Sequence, residues 1–182
     1  MKDTKQKLSP LSIALHWLVA IGIIGMIFYG QYIEGLPSGP DKWQGIGLHK
    51  SIAMILLALI VVRIVWRIAN KLPKPLSNGP KWQERVAIAA HLLLLLGTLI
   101  MPVSGLMMSI GGGHSVAIFG WEIIAGSEDK IKWLGSLGHE MHEWTSKILL
   151  GVITLHILAA FKHAIFDRDG TLSRMIGRRI ED

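Results

Sequence analysis

The sequence of 182 residues contains no cysteine and little charge. Without cysteine the chain forms no disulfide, and it supplies no thiolate ligand for zinc or an iron–sulfur cluster. Only 18% of the residues are charged, whereas 51% are hydrophobic and the mean hydropathy is +0.44. This composition is unusual for a water-soluble domain, and a chain of this length is expected to form one unit.

Four long apolar runs account for the hydrophobic excess, and each approaches the ~20 residues that cross a hydrocarbon core about 30 Å thick. The first run is too long for a signal peptide and has no small-residue cleavage site after it, so we expect it to be retained. The predicted fold is all-α, an integral membrane four-helix bundle forming a single domain over residues 1–182. The predicted spans are approximately residues 11–30, 49–68, 86–109 and 140–163.

The net charge of +6 is distributed unevenly along the chain. Fourteen of the 19 lysines and arginines lie in the N-terminal segment, between Arg63 and Arg85, and from Lys162 onward. This asymmetry is typical of the positive-inside rule for membrane proteins and argues against a nucleic-acid surface. We therefore predict that both termini are cytoplasmic, which an even number of spans permits.

Three connections join the predicted spans, and no internal repeat is apparent. The first external connection, EGLPSGPDKWQGIG, is dense in glycine and proline and is predicted to be irregular. The internal connection, KLPKPLSNGP, contains three prolines. The second external connection, residues 110–138, is long enough to predict that it covers a site or docks a partner.

Six of the eight histidines fall in or beside the predicted spans, where ionisable residues usually face the bundle interior and mark a function. His114 and His139, in or next to the long connection, are predicted to have no special role. The topology places His49 and His142 near the periplasmic side and His16 near the cytoplasmic side. His156 follows His142 by fourteen residues, which is close to four turns and about 21 Å along one side of a helix.

These depths predict two facing pairs of imidazoles, His49 with His142 and His16 with His156, although spacing leaves His91 as an equally placed inner ligand. Zinc is disfavoured because no acidic residue within the spans completes a four-ligand site. A flat macrocycle held by two imidazoles fits a bundle core, which predicts two haems stacked across the membrane. Small residues that either leave room for the macrocycles or pack helices closely are Gly22, Gly25, Gly97, Gly105 and Gly151.

Several segments resemble the bacterial cytochrome b561 family of four-helix dihaem proteins, and within it the superoxide oxidase type. The resemblance covers nearly the whole chain. The segments that carry it are SIALHWLV, LHKSIAMILLALIVVRIVWR, the pattern H-x10-PVSGLMM from His91, HEWTSKILLGVITLH, and H-x4-RDGTLSRM from His163.

The resemblance implies that four histidines are the axial ligands of two haems b, paired as His16 with His156 and His49 with His142. It assigns secondary roles, as candidate contacts to haem propionates or to a quinone, to Arg63, His91, Lys162 and His163. It also implies a location in the bacterial inner membrane. For the two cations, ordinary positive-inside flanking charge is the alternative interpretation.

The resemblance further implies that electrons pass from the periplasmic side to ubiquinone, with superoxide as the donor. Lysines that could steer an anionic donor are Lys42, Lys50, Lys130, Lys132 and Lys147. One alternative is a cytochrome b subunit that passes electrons from a docked hydrogenase or dehydrogenase to quinone. Another is a non-catalytic carrier of haem or metal.

Overall fold

A computed structural model describes residues 3–70, 76 and 80–180 of the chain. Four of its helices are long and apolar enough to cross a membrane, which confirms the predicted all-α architecture. A π-helical turn, His163–Asp167, extends the last of them, and a short helix α5, Thr171–Met175, follows. The four long helices are α1 (Pro10–Gly35), α2 (Pro40–Asn70), α3 (Lys81–Gly111) and α4 (Lys132–Lys162).

The four long helices run alternately up and down, so each end of the bundle collects particular chain segments. The terminal end contains the start of α1, the end of α4 and both terminal segments. The hairpin end contains the connections from α1 to α2 and from α3 to α4. Helix α1 packs along α2 and α3 packs along α4, whereas α1 and α4 touch only sparsely.

Glycine–leucine contacts hold the helices of each pair close together. A side chain at Gly22 of α1 would collide with Leu56 of α2, and a Cβ at Gly97 of α3 would lie 2.7 Å from Leu149 of α4. Both leucines are buried. At these two positions the glycines serve close helix packing, which is the second of the two roles predicted for them.

The second helix pair repeats the contacts of the first, a relation that was not apparent from the sequence. Each repeated residue of α3 lies 75 positions after its counterpart in α1, and each of α4 lies 93 positions after its counterpart in α2. The matched contacts are Gly22–Leu56 with Gly97–Leu149, Gly30–His49 with Gly105–His142, and His16–Arg63 with His91–His156. The bundle therefore consists of two similar helix pairs.

The first connection differs from its prediction as an irregular segment, because only residues 36–39 are non-helical. Pro40 begins α2, a position where its fixed φ favours a helix and its missing N–H costs nothing. The glycine-rich stretch after it remains helical because Gly45 is buried close to Ile33, 3.2 Å from its Cβ position. The internal connection falls mostly outside the described residues.

The second external connection is shorter than predicted, because α4 begins at Lys132. It contains an antiparallel hairpin of β1 (Val116–Ile118) and β2 (Trp121–Ile124). Both residues of its turn have positive φ, 48° at Phe119 and 91° at Gly120. Positive φ at both positions is the geometry of a type I′ turn, which matches the twist of a tight hairpin.

The two terminal segments meet at the terminal end of the bundle. Arg174 donates a hydrogen bond to the Lys5 carbonyl (2.8 Å). Asp3 accepts hydrogen bonds from the Ser9 amide (2.8 Å) and from the Ser12 hydroxyl (2.7 Å). Its carboxylate also pairs with Arg67 of α2 at 3.0 Å, and its side chain is only 2% exposed. One buried carboxylate thus ties the N-terminal segment to α1 and α2.

We expect Gly138→Ala to destabilise the bundle by roughly 1–3 kcal/mol, because overpacking a close contact forces backbone shifts. A Cβ at Gly138 of α4 would lie 2.6 Å from the Met108 amide nitrogen and 2.8 Å from the Ser104 carbonyl oxygen of α3. Gly47→Ala is the matched control, since nothing lies within 4 Å of its Cβ position. Thermal unfolding of the purified protein in detergent measures both. Equal stability of the two variants would contradict the close α3–α4 contact.

Asp3→Ala is expected to lower the stability of the terminal end by roughly 3 kcal/mol, the scale of losing one partner of a buried ion pair. Burial raises the pKa of Asp3, but hydrogen bonds from Ser9 and Ser12 outweigh burial, with help from Arg67, and hold that pKa below 3.8. The stabilisation is therefore complete above pH 3.8 and is lost as the pH falls through the lower folded-state pKa.

Thermal unfolding followed against pH measures this effect, with the exposed Glu128→Ala as control. A difference between wild type and Asp3→Ala that grows on acidification would contradict the proposed sign.

Candidate functional site

Two groups of histidines lie at different depths between the helix pairs. The hairpin layer consists of His49 on α2 and His142 on α4. The terminal layer consists of His16, His91 and His156 together with Arg63.

In the hairpin layer the two imidazoles face each other. Their ring centroids are 6.3 Å apart, and the ring planes are inclined by 69°. A small cavity of about 30 Å³ adjoins both rings. Its other lining residues are apolar: Ile23, Met26, Ile27, Ala53, Leu56, Met101 and Pro102. The structure thus brings together the two histidines that the sequence predicts to pair at this end.

The orientation of His142 is fixed by α3. Its Nδ1 donates to the Met101 carbonyl oxygen at 3.0 Å and lies 3.1 Å from the Ser104 hydroxyl, which itself donates to Met101. Because a carbonyl only accepts, Nδ1 carries the proton and the neutral ring keeps its lone pair on Nε2. A histidine that binds a metal through one ring nitrogen commonly donates its other ring N–H to a carbonyl, which fixes the tautomer and the orientation of the ring.

His49 is held by packing on α1. Its ring stacks on Tyr29, with centroids 6.2 Å apart, and its Cε1 lies 3.4 Å from the Cβ position of Gly30. Any larger residue at Gly30 would press on the imidazole of His49. In the same way, any larger residue at Gly105 would press on the imidazole of His142. Within the described residues, the buried Nδ1 of His49 has no hydrogen-bond partner.

The hairpin layer fits a metal ion held between two imidazoles. With metal–nitrogen bonds of about 2.0–2.1 Å, two such rings on opposite sides of one ion have centroids roughly 6 Å apart. The observed 6.3 Å agrees with that spacing. The donor set is two neutral imidazoles in an apolar cavity, which suits haem iron and is incomplete for tetrahedral zinc.

The terminal layer is built differently, because Arg63 occupies the place that corresponds to His156 in the other pair. Its guanidinium donates to the Leu15 carbonyl (3.3 Å) and to Nδ1 of His16 (3.1 Å). An arginine has no acceptor, so Nδ1 of His16 accepts and the neutral ring holds its proton on Nε2. On the other side, the rings of His91 and His156 lie 5.4 Å apart. The three histidines predicted as candidate inner ligands therefore lie at this end together with Arg63.

A second cavity of about 110 Å³ separates α1 from α4 between the two layers. Apart from Thr154 its lining is apolar: Ile24, Ile27, Phe28, Leu150, Ile153 and Ile157. Gly25 and Gly151, predicted either to leave room for a macrocycle or to pack helices closely, have nothing within 4 Å of their Cβ positions. These two glycines leave open space beside them.

Lys162 and His163 lie apart from the terminal layer, in an ion-pair cluster. Nδ1 of His163 is 2.7 Å from Asp169 and 3.0 Å from Asp167, and Lys162 pairs with Asp167 at 2.6 Å. Three of these side chains, those of His163, Asp167 and Asp169, are close enough to hold a metal ion. The ammonium group of Lys162 already supplies positive charge there.

The five candidate steering lysines differ in their availability. Lys42 donates to two carbonyls, of Glu34 and Leu36, and Lys147 pairs with Glu143 at 2.5 Å. Lys50 is half-buried beside His49 and donates to the Ser115 carbonyl at 3.2 Å. Lys130 and Lys132 are exposed. His114 and His139 are also exposed at this end, outside both layers.

Sequence reasoning did not identify four contributors to the hairpin layer: Tyr29, Gly30, Met101 and Ser104. Gly30 carries a signal in the spacing, since it follows Gly22 by eight residues as Gly105 follows Gly97. The Met101 carbonyl carries none, because every residue has a carbonyl group.

Four membrane-crossing helices with histidines paired between them define a class, the helical membrane proteins whose bundle core holds an imidazole-ligated cofactor. A family profile described as prokaryotic cytochrome b561 matches residues 7–178 of the chain. The chain belongs to the prokaryotic cytochrome b561 family. It is therefore a multi-pass bacterial membrane protein of a b-type cytochrome family that transfers electrons.

Three relatives have sequences that align over almost their whole lengths. Cytochrome b561 homolog 2 of Escherichia coli (strain K12) is 30% identical over 182 residues, covering 99% of this chain and 96% of the relative. Cytochrome b561 homolog 1 of the same organism is 24% identical over 177 residues, covering 95% and 98%. A protein of Yersinia pestis named probable superoxide oxidase CybB is 26% identical over 175 residues, covering 96% and 98%.

Proposed function

We propose that this protein is a dihaem cytochrome b that carries electrons from superoxide on the periplasmic side to ubiquinone in the bilayer. The observation that carries the proposal is the presence of two histidine layers at different depths of one apolar bundle. His142 and His156 stand fourteen residues apart on α4, or about 21 Å. Haem b bound at each layer supplies a one-electron carrier near each membrane face.

The chain's own residues would hold these cofactors in two ways. At the hairpin layer, His49 and His142 would hold the haem iron, and the Met101 carbonyl fixes the orientation of His142. At the terminal layer we assign the ligands to His16 and His156, as the family resemblance implies. Binding iron through Nε2 of His16 would require Arg63 to release Nδ1, so that the ring proton can move from Nε2 to Nδ1, because Arg63 now donates to Nδ1.

The direction of transfer rests on charge. Arginines and lysines concentrate at the terminal end, where Arg63 and Arg67 end α2 and both chain termini lie. By the positive-inside rule that end faces the cytoplasm, and the hairpin end faces the periplasm. A donor produced outside the cytoplasm then meets the hairpin layer first.

Superoxide is the donor favoured by the resemblance and by the name of the Yersinia pestis relative. Each of two superoxide ions loses one electron to give O₂, and one ubiquinone takes up two electrons and two protons to give the quinol. Lys50 directly follows His49 and is the lysine nearest in sequence to a ligand, so it is the best-placed cation for attracting the anion.

Ubiquinone would be reduced at the terminal layer. His91 is exposed on the bundle surface although it contacts His156, so a molecule dissolved in the bilayer can reach it. His91 can donate a hydrogen bond or a proton to a quinone oxygen, and Arg63 can supply positive charge. Lys162 and His163 stand nearer the water phase, where they are candidates for passing protons inward.

A second candidate function is that of a cytochrome b subunit docked to a hydrogenase or dehydrogenase. The observation that favours it is the exposed hairpin at the donor end, with Phe119 and Trp121 at its tip. The two functions differ in whether the protein acts when purified alone.

We expect the purified protein to bind two low-spin haems b per chain. His49→Ala and His142→Ala should each remove the same haem, because both ligate one iron, whereas His156→Ala should remove the other. His139→Ala, an exposed neighbour on α4, is the control and should keep both. Haem-to-protein ratios and reduced-minus-oxidised spectra measure the result. Loss of different haems from His49→Ala and His142→Ala would refute the pairing.

Superoxide added to the oxidised protein with ubiquinone present should reduce the haem rapidly and produce quinol. Lys50→Gln should slow haem reduction severalfold at low ionic strength, because it removes the cation that directly follows His49 in the sequence. Lys147→Gln is the matched control, since that lysine is already paired with Glu143. Stopped-flow absorbance measures both steps. If superoxide fails to reduce the haem and a co-purified enzyme reduces it, the protein is the docked subunit instead.

A further inference from the structure

The tip of the β1–β2 hairpin exposes three large apolar side chains. Phe119 is 62% exposed, Trp121 is 81% exposed and Ile123 is 55% exposed. Phe119 also has φ of 48°, a conformation that costs a bulky residue energy and that this turn would normally give to asparagine, aspartate or glycine. Strained backbone conformations concentrate at functional sites. The exposed ring of Phe119 at this turn therefore indicates a functional role for the side chain.

Hydrogen bonds to α2 fix where this tip lies. The Phe119 amide donates to the Ser51 hydroxyl at 3.0 Å, and Ser51 donates to the Ala117 carbonyl at 3.2 Å. Lys50 adds a hydrogen bond to the Ser115 carbonyl at 3.2 Å. The hairpin is therefore fastened along the side of α2, about eleven residues or 16 Å from the start of that helix.

The hairpin is attached at the level of Ser51, which is where the apolar surface of the bundle begins. Ser51 immediately precedes the apolar run of α2, and Ile55, one turn deeper on the same side of α2, is 43% exposed. Two tyrosines of α1 lie at the same level. Tyr29 stacks on His49 of α2 and on Tyr32, and Tyr32 is 62% exposed. Tyrosine and tryptophan concentrate at the headgroup level of membranes, where an apolar ring and a polar group are both accommodated.

The two faces of the hairpin carry different side chains: Trp121 lies on one face and the acidic Glu122 on the other. Successive side chains of a strand point to opposite faces, so Trp121 lies on the other face from Glu122. Trp121 pairs with Ile118, and Glu122 pairs with Ala117. Ile118, Trp121 and Ile123 therefore share one face of the hairpin, and the acidic Glu122 lies on the other face.

We propose that the hairpin tip is a membrane anchor, with Phe119, Trp121 and Ile123 inserted into the headgroup and upper acyl region of the leaflet at the hairpin end. The occupant of this apolar surface is lipid, because the hairpin is fastened to α2 at Ser51, where the apolar run of α2 begins and the tyrosines of α1 lie. The anchor holds the connection against α2 at Lys50 and Ser51, which directly follow His49 in the sequence.

The absence of cysteine makes a clean test available, since one nitroxide label can be attached to each single-cysteine variant. Trp121→Cys reports the tip, and Glu122→Cys is the matched control on the other face. Leu155→Cys, exposed on the apolar part of α4, gives the lipid reference, and Glu128→Cys gives the water reference. The holoprotein is placed in phospholipid nanodiscs, and its haem spectrum and elution volume confirm that each variant is folded.

The measurement is the accessibility of each label to O₂, which concentrates in lipid, and to a nickel chelate, which stays in water. We expect the O₂-to-nickel ratio at position 121 to exceed that at position 122 severalfold and to approach that of the Leu155→Cys reference. A ratio at position 121 equal to that of Glu128→Cys would show the tip in water and overturn the proposal. Inaccessibility to both reagents would show it covered by protein and would overturn the proposal equally.

Discussion

The close packing within each helix pair determines the rest of this structure. Gly22 admits Leu56, and Gly97 admits Leu149, so each pair is a tight two-helix unit, and His49 of one unit faces His142 of the other. A polar ring in an apolar bundle is costly unless it has a partner. The space between the two pairs is packed less tightly, so one partner bound there can contact imidazoles of both pairs.

The two units repeat one another, yet the ends of the bundle differ. At the hairpin layer the counterparts are His49 and His142, each with a glycine at its back, and equivalent residues face each other. At the terminal layer the counterpart of His156 is Arg63. One end therefore offers two facing imidazoles, and the other combines imidazoles with the permanent positive charge of Arg63. Such a difference between ends suits a path with a donor at one and an acceptor needing protons at the other.

The sequence was sufficient to predict the four spans and the meeting of His49 with His142, because both follow from hydrophobic length and helical periodicity. It failed for the first connection, where packing of Gly45 against Ile33 outweighed the glycine-rich composition. The repeat was not apparent in the sequence because residues of α3 follow their counterparts in α1 by 75 positions, whereas residues of α4 follow their counterparts in α2 by 93. Backbone partners such as the Met101 carbonyl leave no trace in a sequence.

The hairpin layer also bears on how the bundle is held together. Helices α1 and α4 touch sparsely, so the two units are joined mainly where α2 meets α3. In hydrocarbon no apolar driving force presses the units together, and association depends on packing and on polar bonds between helices. A cofactor ligated by His49 from one unit and by His142 from the other would supply such a bond across the gap. Because a ligand that binds only the assembled state stabilises it, cofactor binding and assembly of the two units are thermodynamically coupled.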